Sequence, residues 1–265
     1  EERGEQGSRT ALFSEAMRRV VNLTAPDKAE RSVALLLASN AAGDGVSTTA
    51  FGLARTVARS GRKALVVETD LTAQQADTDR PGLAKVLAGE APLDEALVRI
   101  AADETSAFWV LPSTSDRSHP TELLASPRMD SLMAALRERF DVILLDATPV
   151  TQSADAEVLA PHCDGTVLVM RYGTSQKLIR SSLDLLDRVT NNTVGVLVTW
   201  APDRFFSDVY GSPDRAWSLP TARRPVAQPS PFVTVAEQQA RNRNITKLPS
   251  RPAASEADGT RKNVR

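Results

Sequence analysis

The sequence predicts an α/β fold with a doubly wound, mostly parallel sheet that is flanked by helices. Short apolar runs alternate with helical stretches, and a glycine-containing loop joins the first run to the helix that follows it. Strands that are covered on both faces are apolar throughout, so such runs are typical of a parallel sheet between two helical layers. The runs lie at residues 33–38, 64–67, 108–111, 142–145, 166–170 and 194–198.

The helices are predicted from apolar residues that recur at helical spacing and from residues that end helices. Residues 11–24 place four apolar side chains near one face, which indicates a short amphipathic helix. A second helix over 48–59 ends at Ser60-Gly61. Further helices are predicted at 81–88, 93–100, 123–139 and 174–190.

Three regions are predicted along the chain. Residues 1–10 are polar and are expected to be a flexible N-terminus, and residues 11–200 form the α/β domain. Residues 201–265 are rich in Pro and Arg and lack a core pattern, so we expect a largely disordered tail with one short helix at 234–244.

Composition excludes several classes of function. The formal net charge is −1, which argues against a general nucleic-acid binder. The charge is uneven, because residues 201–265 carry 11 Lys and Arg against 6 Asp and Glu, whereas residues 1–200 carry 21 against 27. The single cysteine, Cys163, excludes an internal disulfide and fits a reducing compartment. No run approaches 18 apolar residues, so no membrane span is expected in these residues.

The loop at residues 39–49 predicts a site for a phosphate group. Gly43 and Gly45 would let the backbone turn its N–H groups toward the phosphate. Ser47 lies where such a loop places the hydroxyl that binds Mg²⁺. The lysine expected between Gly45 and Ser47 is Val46. The candidate cofactor-binding residues are Gly43, Asp44, Gly45, Val46, Ser47 and Thr48.

Three carboxylates are predicted at the same edge of the sheet as this loop. Glu68 and Asp70 follow the second strand, and Asp146 ends the fourth. Ligands of parallel sheets bind beyond the carboxyl ends of the strands. A triphosphate with Mg²⁺ needs carboxylates there to hold the metal or its waters and to accept a proton. For Asp146, a strand-end carboxylate that only caps local amides is the alternative.

Three motifs resemble those of the bacterial tyrosine kinases of capsule and exopolysaccharide synthesis. These kinases are relatives of the deviant-Walker ATPases that include the Min and Par positioning proteins. The resemblance covers about residues 11–200. The positioning proteins carry a signature lysine where this chain has Ala41, which favours the polysaccharide branch. The motifs are the loop at 41–49, residues 67–74 and residues 140–150, and the stretches 80–90 and 122–128 also resemble this family.

The resemblance implies a cofactor, partners and site residues. ATP or ADP with Mg²⁺ would be the cofactor, with Ser47, Asp70 and Asp146 as metal-side residues and Glu68 and Asp70 as catalytic candidates. A membrane polysaccharide co-polymerase that determines chain length would be the partner, which implies a cytoplasmic protein at the inner face of the plasma membrane. Self-association through residues 11–24 would follow the family's Glu-x-x-Arg-x-x-Arg helix, although Val21 replaces the second arginine.

Several departures from the family pattern predict a degenerate member, or pseudokinase. Val46 replaces the phosphate-binding lysine, and Glu68 replaces the first aspartate of the second motif. Thr199-Trp200 stands where the family carries an asparagine that recognises adenine. Tyr210 is the single tyrosine of a tail that in the family carries a tyrosine cluster. We therefore expect a regulator or scaffold with weak or lost nucleotide binding. The alternative is an active Mg·ATP-dependent tyrosine autokinase that controls polysaccharide chain length.

The remaining reactive side chains are interpreted as structural. Cys163 is expected to be a small packing residue. His119 and His162 lack the spacing of metal ligands and are expected to be structural or exposed.

Overall fold

The computed structural model describes residues 2–24, 31–72, 80–113, 120–189 and 192–202. The predicted tail helix at 234–244, Tyr210 and His119 lie outside these residues. None of the helices in the described ranges combines the length and the apolar content that crossing a bilayer requires.

Within the described residues, seven strands form one sheet in the order β3-β4-β2-β5-β1-β6-β7. All neighbouring pairs are parallel except β3 and β4, which are antiparallel. The prediction of a mostly parallel sheet is therefore confirmed. The strands are β1 (Val33–Ser39), β2 (Ala64–Glu68), β3 (Val98–Ala101), β4 (Ala107–Leu111), β5 (Val142–Asp146), β6 (Gly165–Arg171) and β7 (Thr193–Thr199).

Helices cover both faces of this sheet, as the prediction of a doubly wound fold requires. One face packs against α1 and α2, and the other packs against α3 to α8. Successive strand residues point to opposite faces, so Leu35 and Leu37 belong to the first core and Leu36 to the second. The helices are α1 (Glu2–Thr24), α2 (Val46–Arg59), α3 (Leu83–Ala88), α4 (Leu93–Ala96), α5 (Pro120–Leu124), α6 (Pro127–Arg139), α7 (Asp155–Leu159) and α8 (Gln176–Asp187), and a 3₁₀ turn spans Ala160–His162.

The predicted helix at 93–100 is wrong over its second half. The helix α4 ends at Ala96, and β3 begins two residues later. Val98 and Ile100 are half-buried while Arg99 and Ala101 are exposed, which is the two-residue period of a strand. Residues 93–100 have apolar side chains at helical spacing, so the sequence alone is compatible with a helix. Pairing with β4 instead makes residues 98–101 a strand.

Other boundaries differ in smaller ways. The helix α1 begins at Glu2 rather than at residue 11, because its polar first half has no apolar period to reveal it. The predicted helix over 123–139 is two helices that divide at Ser126, where Pro127 occupies the first turn of α6. The short helix α7 and the 3₁₀ turn after it carry no pattern that we recognised in the sequence.

Arg137 joins three segments at the amino-terminal end of the sheet. Its guanidinium donates hydrogen bonds to the carbonyl oxygens of Ser32 (3.1 Å) and His162 (3.0 Å). It also donates to the carboxylate of Asp164 at 2.8 Å, and the same carboxylate oxygen accepts the backbone N–H of Ala34 at 2.8 Å. This network fixes the start of β1 relative to the start of β6.

Candidate functional site

The loop between β1 and α2 has the backbone of a phosphate-binding turn. Gly43 has φ 84° and Gly45 has φ 93°, both in the left-handed region that favours glycine. The helix α2 begins directly after Gly45, and the N–H of Thr49 donates to the carbonyl oxygen of Gly45 at 2.9 Å. The predicted candidates Gly43, Gly45, Ser47 and Thr48 thus lie together in one turn at the N-terminus of a helix.

Asp44 stabilises the shape of this loop from inside. Its side chain is 6% exposed, and its carboxylate accepts the backbone N–H of Ala41 at 2.8 Å. The backbone N–H of Asp44 donates in turn to the carbonyl oxygen of Ala41 at 3.3 Å. Asp44 was predicted to bind a cofactor, and here both its carboxylate and its amide are engaged within the loop.

Val46 is part of the hydrophobic core. It is the first residue of α2, its side chain is 8% exposed, and it belongs to the apolar cluster between α2 and the sheet. A lysine at this position of a phosphate-binding loop would reach the β- and γ-phosphates. The valine offers neither the length nor the charge for that contact.

Ser47 and Asp146 lie close to each other, although they are far apart in sequence. The Ser47 side chain acts as a hydrogen-bond donor toward the Asp146 carboxyl and lowers its pKa. The helix α2 supplies the serine at its start, and β5 supplies the aspartate at its carboxyl end, next to β1. A hydroxyl and a carboxylate oxygen are ligand types that Mg²⁺ accepts in nucleotide sites. This pair fits the metal side of the predicted site.

The pKa of Asp146 is raised to about 6, chiefly by burial and also by the charges of Glu68 and Asp70, whereas the Ser47 side chain opposes the shift. The groups that act on this carboxyl are therefore two acids and a hydroxyl, with no lysine or arginine of the described residues among them. A phosphate would enter a region of negative charge, so a bound divalent cation would be required to offset it.

Glu68 and Asp70 lie beside Asp146, as the sequence predicted. Glu68 ends β2 and is aligned with Asp146 in the parallel β2·β5 pair. The Glu68 carboxylate accepts the N–H of Ser113 at 3.4 Å, and the Asp70 carboxylate accepts the N–H (3.0 Å) and hydroxyl (2.7 Å) of Thr72. Over the described residues, no three His, Cys, Asp or Glu side chains converge closely enough to hold a metal ion by themselves.

The end of β7 contacts the loop, a relationship that the sequence did not reveal. The Thr199 hydroxyl donates to the carbonyl oxygen of Asp44 at 2.6 Å, and a side chain at Gly45 would lie 3.3 Å from the Thr199 methyl group. Trp200 follows with φ 57°, the one non-glycine residue with positive φ among those described. That conformation costs about 1–2 kcal/mol. It turns the chain out of the strand and leaves the Trp200 ring 67% exposed.

Buried polar contacts anchor the start of the loop. Asn40 is 4% exposed, and its side-chain oxygen accepts the hydroxyl of the fully buried Ser182 of α8 at 2.8 Å. Its backbone carbonyl accepts the hydroxyl of Thr151, in the segment after β5, at 2.6 Å. Sequence reasoning missed both contacts, because nothing local to either residue indicates its partner.

A second buried hydrogen-bond network involves the segment that follows Asp146. Asp155, at the start of α7, is 2% exposed, and its carboxylate accepts the hydroxyls of Thr121 (2.9 Å) and Thr148 (3.1 Å). Thr148 lies two residues after Asp146, so this network fixes the segment that leaves the site. The sequence could have indicated a role for Thr148, since this residue belongs to the third family motif at 140–150.

The structure places the other candidates away from this site. Cys163 is buried, and burial raises the pKa of its thiol to about 12. The His162 ring lies 3.3 Å from the carboxylate of Asp130. On α1, Glu15 pairs with Arg18 at 3.1 Å on the surface, whereas Val21 is 7% exposed in the core. The third position of the self-association motif is thus used for packing.

Comparison with known proteins identifies the family. No family model matches the sequence. The tyrosine-protein kinase YwqD of Bacillus subtilis is 30% identical over 175 residues, which are 63% of this chain and 72% of the relative. The chain belongs to the bacterial tyrosine kinases of capsule and exopolysaccharide synthesis. The succinoglycan biosynthesis transport protein ExoP of Rhizobium meliloti is 30% identical over 173 residues, and this chain spans only 22% of its length.

Solved structures confirm the fold of this family. The VpsO kinase domain superposes with a TM-score of 0.64 at 24% identity, covering 75% of this chain and 98% of that domain. The septum site-determining protein MinD of Pyrococcus horikoshii, solved with Mg-ADP, superposes with a TM-score of 0.51 at 21% identity, covering 67% of this chain and 76% of that protein. The predicted P-loop fold of the bacterial tyrosine kinases is therefore confirmed.

Proposed function

We propose that this chain is a degenerate member of the bacterial tyrosine kinases that acts as a regulator or scaffold in exopolysaccharide or capsule synthesis. Its nucleotide binding is weak or lost, and its partner is a membrane co-polymerase that sets chain length. The observation that carries the proposal is the buried Val46 at the position of the phosphate-binding lysine.

The loss of that lysine has a large energetic consequence. A charge-assisted hydrogen bond contributes about 1.5–3 kcal/mol, which is about ten- to a hundredfold in affinity. The catalytic loss is larger still where the lysine also offsets charge in the transition state. The charged groups that shift the pKa of Asp146 are both acidic, and no described lysine or arginine is among them.

The scaffold part of the proposal rests on the preserved shape of the loop. Thr199, Ser182 and Thr151 hold the loop through hydrogen bonds of 2.6–2.8 Å that need no ligand. A domain that keeps its nucleotide-site architecture without the lysine retains a surface that a partner can recognise. ExoP is named as a transport protein of succinoglycan biosynthesis, and this supports a partner in the export of polysaccharide.

Titration calorimetry of the full chain with Mg·ADP and Mg·ATP tests the proposal. We expect no binding, or dissociation constants above about 100 μM. Micromolar affinity together with incorporation of ³²P from labelled ATP into the protein would contradict a scaffold. A pull-down with the cytoplasmic segment of a co-polymerase tests the partner, and it should succeed equally with and without nucleotide.

The substitution Val46→Lys tests whether the absence of a lysine at this position is the main reason for weak nucleotide binding. It should create nucleotide binding, because the glycine turn and the Ser47–Asp146 pair are in place. Val46→Met is the matched control, since methionine has similar length without charge and should give no gain. If Val46→Lys folds and still binds no nucleotide, the degeneration extends beyond the loop.

A second candidate function is an active Mg·ATP-dependent tyrosine autokinase. The proximity of Ser47 to Asp146 favours it, because a hydroxyl and a carboxylate suit a metal-bound phosphate. In that case Gly45, Ser47 and Thr48 would bind phosphate and Mg²⁺, Asp70 and Asp146 would be the metal-side carboxylates, and Glu68 would be the candidate base. Glu68→Gln should then abolish ³²P incorporation while leaving Mg·ADP binding within about threefold of the unmodified chain.

A further inference from the structure

Exposed apolar side chains concentrate at one corner of the molecule. Seven large apolar side chains are exposed among the described residues, and four of them lie at the ends of β6 and β7 and the start of α8. Tyr172, Leu178, Val198 and Trp200 are 45%, 38%, 43% and 67% exposed. Single exposed apolar residues are ordinary, but a group at one place indicates a contact surface.

These side chains are brought together by the pairing of β6 with β7. Arg171 is aligned with Thr199, and the N–H of Tyr172 donates to the carbonyl oxygen of Thr199 at 2.8 Å. The Arg171 guanidinium lies 4.9 Å from the centre of the Trp200 ring. The chain then turns through Gly173 and enters α8 at the Ser175 cap, whose hydroxyl accepts the N–H of Leu178.

The same corner is positively charged in a domain that is otherwise acidic. Residues 165–183 contain Arg171, Lys177 and Arg180 and no Asp or Glu. All three cations are exposed, and none forms an ion pair with another described residue. The N-terminus of α8 adds the partial positive charge of its dipole. An anionic partner is therefore favoured on this surface.

We propose that this basic aromatic surface docks on an anionic lipid bilayer. It consists of Arg171, Tyr172, Lys177, Leu178, Arg180 and Trp200. Trp and Tyr combine an apolar ring with a polar N–H or O–H, and they favour the boundary between lipid tails and headgroups. Lysine and arginine near an anionic leaflet add attraction without fixed geometry, because their long stems let the charged ends adjust.

A bilayer explains the arrangement better than an acidic peptide does. The three cations come from two elements, since Arg171 ends β6 and Lys177 and Arg180 lie near the start of α8, and a fluid anionic surface can contact all of them without a fixed geometry. The most exposed group, Trp200, is an aromatic ring that a fluid surface can accept. This docking would bring the loop close to the membrane, since Thr199, the neighbour of Trp200, contacts Asp44.

Co-sedimentation of the full chain with vesicles tests the proposal. Vesicles of phosphatidylcholine with about one third phosphatidylglycerol should bind the chain, and vesicles of phosphatidylcholine alone should not. Binding should weaken with salt. Each basic residue near such a surface contributes about fivefold, so the triple variant Arg171→Gln, Lys177→Gln, Arg180→Gln should bind about 100-fold more weakly.

A matched control separates this surface from the general charge of the chain. The triple variant Arg55→Gln, Lys85→Gln, Arg99→Gln removes the same charge from three exposed positions elsewhere. It should bind within about threefold of the unmodified chain. Equal losses in the two triple variants would overturn the proposal, because binding would then depend on net charge or on residues 203–265.

The tryptophan provides a second readout that does not depend on affinity. Lipids brominated near the headgroup should quench the fluorescence of Trp200 in bound protein, and the quenching should fall in Trp200→Phe while binding persists. Unchanged quenching in that variant would overturn the proposed contact. If anionic vesicles fail to bind the chain and polyglutamate binds it through the same cations, the lipid proposal is wrong and an acidic peptide is the partner.

Discussion

The hydroxyl of Thr199 donates a 2.6 Å hydrogen bond to the carbonyl oxygen of Asp44, which ties the last strand of the sheet to the glycine loop. The same hydroxyl lies 3.2 Å from the carbonyl oxygen of Met170 on β6. One side chain thus connects β6, β7 and the loop. The protein itself therefore supplies contacts that hold the loop.

Removing this hydroxyl should loosen the loop without unfolding the domain. Thr199→Val keeps the shape of the side chain and leaves the Asp44 carbonyl without that donor, which should cost about 1–2 kcal/mol. Hydrogen exchange should speed up at the amides of residues 41–49. Thr199→Ser keeps the hydroxyl and should retain most of the protection. Equal protection in the valine and serine variants would show that the hydrogen bond does not order the loop.

The raised pKa of Asp146 predicts how stability depends on pH. Because the folded pKa is about 6 and the ordinary value is 3.8, the charged carboxylate opposes folding above pH 6. This penalty should disappear as the pH falls from about 7 toward 4. Asp146→Asn should therefore raise the free energy of unfolding by about 1–3 kcal/mol at pH 7.5 and change it little at pH 4.

Denaturant unfolding at several pH values measures this effect. Asp184→Asn is the matched control, because Asp184 is exposed, and it should leave the pH dependence as it is in the unmodified chain. Parallel pH profiles for Asp146→Asn and the unmodified chain would show that Asp146 is not held in an unfavourable environment.

The contact between α1 and α2 predicts a coupling between two positions. A Cβ atom at Gly52 would lie 2.5 Å from the end of the Phe13 ring, so the ring must move if Gly52 becomes alanine. Alanine stabilises a helix interior by about 0.5–1 kcal/mol relative to glycine. Gly52→Ala should show this gain in a Phe13→Ala background and a smaller gain, or a loss, in the unmodified chain.

A double-mutant cycle by denaturant unfolding measures the coupling, which should exceed about 0.5 kcal/mol. Leu23→Ala is the control on the same helix, since Leu23 is 59% exposed, and its effect should add to that of Gly52→Ala. Additive effects of the Phe13 and Gly52 substitutions would mean that α1 does not pack on α2 through this contact.

The sequence predicts most strands of the sheet correctly. The prediction fails for β3, whose conformation depends on pairing with another strand. The central strands β1, β2 and β5 are buried on both faces, so a run of apolar residues identifies each of them. The edge strand β3 is only half-buried, and its apolar residues continue the helical spacing of α4. Pairing with β4 gives this segment its strand conformation. The sequence of residues 98–101 contains no pattern that would predict this pairing.

The same division holds at the candidate site. The loop glycines, Ser47 and Asp146 were predicted because motif spacing and strand ends reveal them. The contacts of Asp44 with Thr199 and of Asn40 with Ser182 span 155 and 142 residues of chain. They exist only because the folded sheet brings β7 and α8 to the loop. Thr199 and Trp200 depart from the family pattern, and nothing in the sequence indicates that Thr199 holds the loop.

The position of Arg137 explains how the chain can carry a valine at position 46 and keep its fold. Its contacts with Ser32, His162 and Asp164 lie at the end of the sheet opposite to the glycine turn, about 20 Å away along β1. The contacts of Arg137 that stabilise the fold and the residues of the candidate site thus lie at opposite ends of the sheet. Substitutions in the glycine loop would therefore leave the contacts that join β1 to β6 unchanged.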